Sequence, residues 1–130
     1  MSHSEAPLFT FEHVPSQAEF ELFARVSGDD NPIHVDRAFS ARTRFGRTVA
    51  HGMFLYTLIW AHIRAALPQA VARNQALKFP NPAFAGEGLR CEAFAAPLPG
   101  GGLRVEAVLR RLADGAPVCE AVTEIAGEHA

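Results

Sequence analysis

The chain has little lysine, cysteine, tryptophan or tyrosine, and no long apolar run. Lys78 is the single lysine among 12 basic residues, and the formal charge is only −2. That balance gives no electrostatic case for nucleic acid or an anionic membrane as partner. Cysteine is limited to Cys91 and Cys119, both in strand-like runs. Buried free thiols are the expected state, because nothing in the sequence suggests secretion; a disulfide is the lesser alternative. The first residues, Met1-Ser2-His3-Ser4-Glu5, lack a basic-then-apolar leader pattern. The longest apolar stretch, Met53 to Ala61, is too short to span a bilayer, which takes about 20 residues. The expectation is a cytoplasmic protein with no membrane partner. What is present suits one globular domain over 1–130: apolar residues make up 48% of 130. A chain of this size buries roughly two-thirds of its unfolded surface and needs no covalent staples.

Residues 1–7 read as a loose tail. Leu8 to His13 alternate as a strand, which Pro15 ends. Ser16 to Glu19 has the S-x-x-E pattern of a capping box. The helix that follows sets Phe20, Phe23, Ala24 and Ser27 on one stripe, and Gly28 stops it. Asp36 is a candidate cap for a short helix over Arg37 to Arg44, with Phe39 as its core contact. A helix from about Ala50 to Leu67 is apolar nearly all round and should be buried nearly all round. Pro68 ends it. The rest alternates as strands, punctuated by Gly86-Glu87-Gly88, Pro99-Gly100-Gly101-Gly102 and Asp114-Gly115. Helices followed by a run of hairpins is an α+β order, and an all-apolar helix needs a sheet to wrap it.

The chemistry concentrates between Ser27 and Met53. Asp29 and His34 are five residues apart, with the turn dipeptide Asn31-Pro32 between them. Pro32 drives Asn31 out of helical geometry, so the segment bends and can aim a carboxylate and an imidazole at one point. Asp29 follows a helix C-terminus, whose partial negative charge favours a protonated carboxyl. His51-Gly52-Met53 opens the long helix, and a glycine there leaves an approachable N–H at the positive end of the dipole. An acid, an imidazole and an anion-stabilising helix end are the parts needed for proton transfer beside a carbonyl.

Three blocks, Gly28-Asp29-Asp30-Asn31-Pro32-Ile33-His34-Val35-Asp36, Phe45-Gly46-Arg47 and Val49-Ala50-His51-Gly52-Met53, resemble the hydratase motif of the MaoC-like, (R)-specific enoyl-CoA hydratases. A weaker likeness continues through Leu77 to Pro82 and Gly86 to Gly88. The resemblance implies a hot-dog fold, in which a curved antiparallel sheet wraps one long helix. It also implies a homodimer acting on acyl-CoA or acyl-carrier thioesters, with coenzyme A present only as part of the substrate and no other cofactor. By the same resemblance Asp29 and His34 are the catalytic pair sharing one water. His34 is read as the base and Asp29 as the proton donor to C2. Gly52 would receive the thioester oxygen.

Each assignment has a plainer alternative. Gly52 can serve only close packing of helix and loop. His51 is read as support for the catalytic loop ahead of substrate contact, and Asn31 as a holder of the turn. Asp29, His34, Asp36 and His51 match no familiar metal-ligand spacing, so no metal is expected. Arg42, Arg44 and Arg47 around Phe45 are either coenzyme A phosphate contacts or a solvated surface. Trp60 departs from the family, some of whose members carry a serine near this position. With Phe54 it should narrow the acyl pocket. A hot-dog thioesterase, or a non-catalytic acyl-thioester-binding subunit, are the competing functions.

Overall fold

The computed structural model describes residues 6–127, so most of the expected N-terminal tail lies outside the described residues. Strand β1 (Phe9–His13) is followed by helix α1 (Gln17–Ser27), two short helices α2 (Pro32–Val35) and α3 (Arg37–Ala41), and the long helix α4 (Gly52–Ala66). Four strands complete the chain: β2 (Ala72–Lys78), β3 (Leu89–Pro97), β4 (Leu103–Arg111) and β5 (Pro117–Ile125). All five strands form one antiparallel sheet in the order β1-β3-β4-β5-β2.

The inner face of the sheet explains why α4 can lie on it. Ala93, Ala107 and Ala121 are directly opposite one another across β3, β4 and β5. They form a shallow row, and all three are buried. Beside it runs a second buried row, Cys91, Leu109 and Cys119. Small side chains let a helix approach a sheet closely while its own large residues fill the flanks. Phe54, Leu55, Tyr56, Ile59 and Ile63 of α4 supply that bulk. The two thiols flank Leu109 on either side, so their strands are two inter-strand steps apart, roughly 9–10 Å. A disulfide, which needs Cα atoms within about 7 Å, is excluded, and both thiols are free.

Local chemistry sets the element ends. Ser16 Oγ accepts from the Glu19 N–H while Glu19 Oε1 accepts from the Ser16 N–H, closing the expected capping box. Gly28, at φ 82°, ends α1 with its N–H on the Ala24 carbonyl. Phe20 and Ala24 of the α1 stripe are buried, but Ser27 is exposed and its Oγ accepts from the Asp29 N–H. Asp36 caps α3 through the Phe39 N–H, as anticipated. That helix stops at Ala41 instead of Arg44, because Thr43 Oγ1 donates to the Ser40 carbonyl and turns the chain. Phe39 is not its core contact: it is 39% exposed, whereas Ser40 is fully buried. Ser40 Oγ donates to the Ile33 carbonyl, so α3 is anchored by a hydrogen bond rather than by an aromatic ring. No helix among the described residues is long and apolar enough to cross a membrane.

Candidate active site

The bend after α1 delivers the acid and the imidazole together. Asn31 Oδ1 accepts from the Ile33 N–H and caps α2, with Pro32 at its first position. One turn of helix then carries His34 back toward Asp29. His34 Nε2 lies 3.9 Å from Asp29 Oδ2. The other ring nitrogen, Nδ1, lies 2.8 Å from the Val49 carbonyl oxygen. A carbonyl only accepts, so Nδ1 carries the proton and neutral His34 presents an Nε2 lone pair on the Asp29 side. The strand-like segment at Val49 is bound both ways, since the Val49 N–H donates to the Ile33 carbonyl. Gln17, at the start of α1, adds a further hold: its Nε2 donates to the His34 carbonyl, and its Oε1 accepts from Thr48 Oγ1. The His34 side chain is mostly enclosed, while that of Asp29 is 55% exposed.

His51, the N-cap residue of α4, is 2% exposed. Its Nε2 is 2.8 Å from the Asp29 carbonyl oxygen and so donates to it. Its ring stacks on that of His34, centroids 3.8 Å apart at 24°, and tilts against Phe23 at 4.8 Å. Burial pushes its proton affinity below the ordinary imidazole value, and the nearby His34 acts in the same direction; the Asp29 carbonyl and charge oppose them. Gly52 follows as the first residue of α4. Its N–H is one of the four that a helix start leaves without an intrahelical acceptor. Gly52 lines a cleft of about 250 Å³ together with Arg44, Phe45, Leu55, Phe79 and Asn81.

Other candidates are spent elsewhere. Arg47 stacks on Phe84 at 3.8 Å and pairs with Glu87 at 2.8 Å. Arg44 rests over Phe45 at the cleft mouth. Tyr56 points away from the acid, sharing a 2.7 Å hydrogen bond with buried Thr123 and accepting from Gln75 Nε2. Thr57 Oγ1 donates back to the Met53 carbonyl. Trp60 is half-buried against the core with Arg64 above its ring. Phe54 is a core residue, packed edge-on to Phe20 and Phe23. Val49, Gln17 and the Phe23–His51–His34 ring pile were not singled out from sequence, because no local pattern carries such contacts.

A curved antiparallel sheet around one long helix defines a hot-dog domain. The chain belongs to the MaoC-like domain family: the family model described as "MaoC like domain" matches residues 2–96. It is 39% identical over 77 residues to the (R)-specific enoyl-CoA hydratase of Aeromonas caviae, covering 58% of each chain. It is 40% identical over 74 residues to the 3-hydroxybutyryl-CoA dehydratase of Methylorubrum extorquens, covering 55% of this chain and 47% of that one. The chain thus spans about half the length of the curated relatives it matches. Among solved structures, R-hydratase PhaJ1 of Pseudomonas aeruginosa aligns with a TM-score of 0.85 at 32% identity, over 95% of this chain and 81% of that one. The A. caviae (R)-hydratase aligns with a TM-score of 0.85 at 27% identity, over 96% and 98%.

Proposed function

We propose that this protein catalyses (R)-specific hydration of trans-2-enoyl thioesters, and the reverse dehydration of (R)-3-hydroxyacyl thioesters. The observation that carries the reading is the facing of His34 Nε2 and Asp29 Oδ2 at 3.9 Å, with the His34 ring stacked on His51, the residue just before Gly52. A water between the two side chains gives a proton to His34 Nε2 as its oxygen attacks C3. Charge then moves to the thioester oxygen, where the Gly52 N–H and the α4 dipole stabilise it. Asp29, acting as the carboxylic acid, gives its proton to C2. Transfer of the proton from His34 to Asp29 resets the pair. His51 and Asn31 support the loop that holds Asp29.

No metal or redox cofactor takes part in this scheme. Asp29, His34 and His51 have donor atoms within 4.8 Å of one another. The substrate is an acyl-CoA or an acyl-carrier thioester. A homodimer is part of the proposal. The outer ladder edge of β2 is unpaired among the described residues, and Val71 and Phe79, which flank that strand, are exposed, as is Met53. Two buried unpaired thiols suit a reducing compartment such as the cytoplasm.

The test is crotonyl-CoA hydration, read as loss of enoyl absorbance with free thiol followed in the same cuvette, for wild type, Asp29→Asn and His34→Ala. Enoyl loss without thiol release, abolished in both variants, is expected. Thiol release would replace hydration by thioester cleavage. Binding without either signal would make the chain a non-catalytic subunit, the reading that Trp60 favours.

A further inference from the structure

His51 Nδ1 is buried and has no hydrogen-bond partner among the described residues. An unpaired acceptor away from water is a standing cost, and phenylalanine would fill much the same space without it. The ring must therefore supply things that no other side chain supplies together. Two are visible: a donor on the Asp29 carbonyl at one edge, and a flat face against His34 at 3.8 Å. Asparagine offers the donor without the face. Phenylalanine offers the face without the donor. Lysine or arginine would bring a permanent charge beside the ring that must accept a proton.

Resting on the hydratase reading, we propose that His51 is a positioning residue for both members of the pair, holding the Asp29 backbone through Nε2–H and the His34 ring through its uncharged face. The two imidazoles are tethered in opposite senses. His34 is pinned by Nδ1–H on the Val49 carbonyl, and His51 by Nε2–H on that of Asp29. Phe23 also packs against the His51 ring, tilted by 58° with centroids 4.8 Å apart. When His34 takes the proton of water, its new charge meets a neutral π-face, an attractive arrangement. A group that shifts either reacting side chain by about 1 Å costs about 100-fold in turnover.

The experiment uses the full chain with His51→Phe and His51→Asn. In the wild type, nitrogen NMR of the His34 ring should show one neutral tautomer, protonated at Nδ1. His51→Asn, which removes the flat face, should leave His34 averaging between tautomers, whereas His51→Phe, which keeps the face and loses only the hold on the Asp29 backbone, should leave the His34 tautomer as in the wild type; kcat for crotonyl-CoA should fall about 100-fold in both, with KM little changed. An unchanged His34 tautomer together with unchanged kcat in both variants would overturn the proposal. So would a His34 tautomer that responds equally to both variants, which is the behaviour of a merely structural residue. The NMR reports the coupling without turnover. A coupled His34 in a wild type that hydrates no enoyl thioester would mean that the functional reading had failed, and the catalytic role of His51 with it.

Discussion

Replacing Gly52 by alanine separates its two candidate roles. A Cβ built on Gly52 falls 3.0 Å from Cδ2 and Cε2 of Phe79 and 3.1 Å from Cγ. Carbon atoms settle at about 3.5–4.0 Å, so the ring must retreat by roughly half an ångström. Phe79 is 43% exposed and lies just beyond β2, so it has somewhere to go. The steric cost is at the low end of overpacking, about 1 kcal/mol. Alanine's better helix propensity offsets up to about 1 kcal/mol of it. Gly52→Ala should therefore fold with a melting temperature within a few degrees of wild type. The new methyl, however, stands beside the N–H proposed to receive the thioester oxygen. Alanine keeps that N–H, so the effect comes from the methyl barring the oxygen's approach, which amounts to losing one such donor, about 10²–10³ in kcat. Crotonyl-CoA kinetics beside thermal unfolding checks this. A loss of kcat under about three-fold would refute the anion-binding role and leave Gly52 as a packing residue. Full recovery in Gly52→Ala/Phe79→Ala would also refute it, by showing that ring displacement and not the amide was at fault.

Tyr56→Phe strips the buried Thr123 hydroxyl of its partner, and should cost about 1–3 kcal/mol in urea unfolding; Thr123→Val leaves Tyr56 its bond from Gln75 and should cost about 1 kcal/mol or less. Burial pushes the Cys91 and Cys119 thiols up to about 12, so a thiol-alkylating reagent at neutral pH should label neither in the native protein and both in denaturant. His51 has a lowered proton affinity when folded and an ordinary value near 6.5 when unfolded. Below that pH the unfolded chain binds a proton that the folded one refuses, so stability should fall as pH drops through 6.5. The loss approaches at most about 1.4 kcal/mol per pH unit, and it should vanish from the difference between pH values in His51→Phe.

Elements whose signals are local were legible. The capping box at Ser16, the stop at Gly28 and the Asp36 cap each rest on residues within four positions of one another, and each forms as read. Helix α4 declared itself by its apolar length, but it is not buried nearly all round: Phe54, Leu55, Ile59 and Ile63 are buried, while Met53, Thr57, Ala61 and Arg64 form an exposed face of the single chain. Phe39 misled because hydrophobicity alone was weighed over too short a helix. There, one buried hydroxyl on a carbonyl outweighed a ring. At the site, the Asn31-Pro32 bend foretold that Asp29 and His34 converge, but not that Val49 fixes the His34 tautomer. Nor could the stacking of His34 on His51 be read, since 17 residues and a second bend separate them. Contacts of that kind belong to the packed chain, and the sequence marks only their participants.

The order of the strands bears on how the chain is made. β1 pairs with β3, about 80 residues further on, and among the described residues no strand but β1 precedes α4. During synthesis the apolar helix is therefore complete about 60 residues before β5 finishes the sheet that covers it. At ordinary elongation rates of 5–20 residues per second, that is roughly 3–12 s of exposure. Phe54, Leu55, Ile59 and Ile63 present a sticky surface in that interval. The nascent chain is thus a natural client for a holding chaperone, and slow translation of β2 to β5 would lower its yield without altering the finished fold.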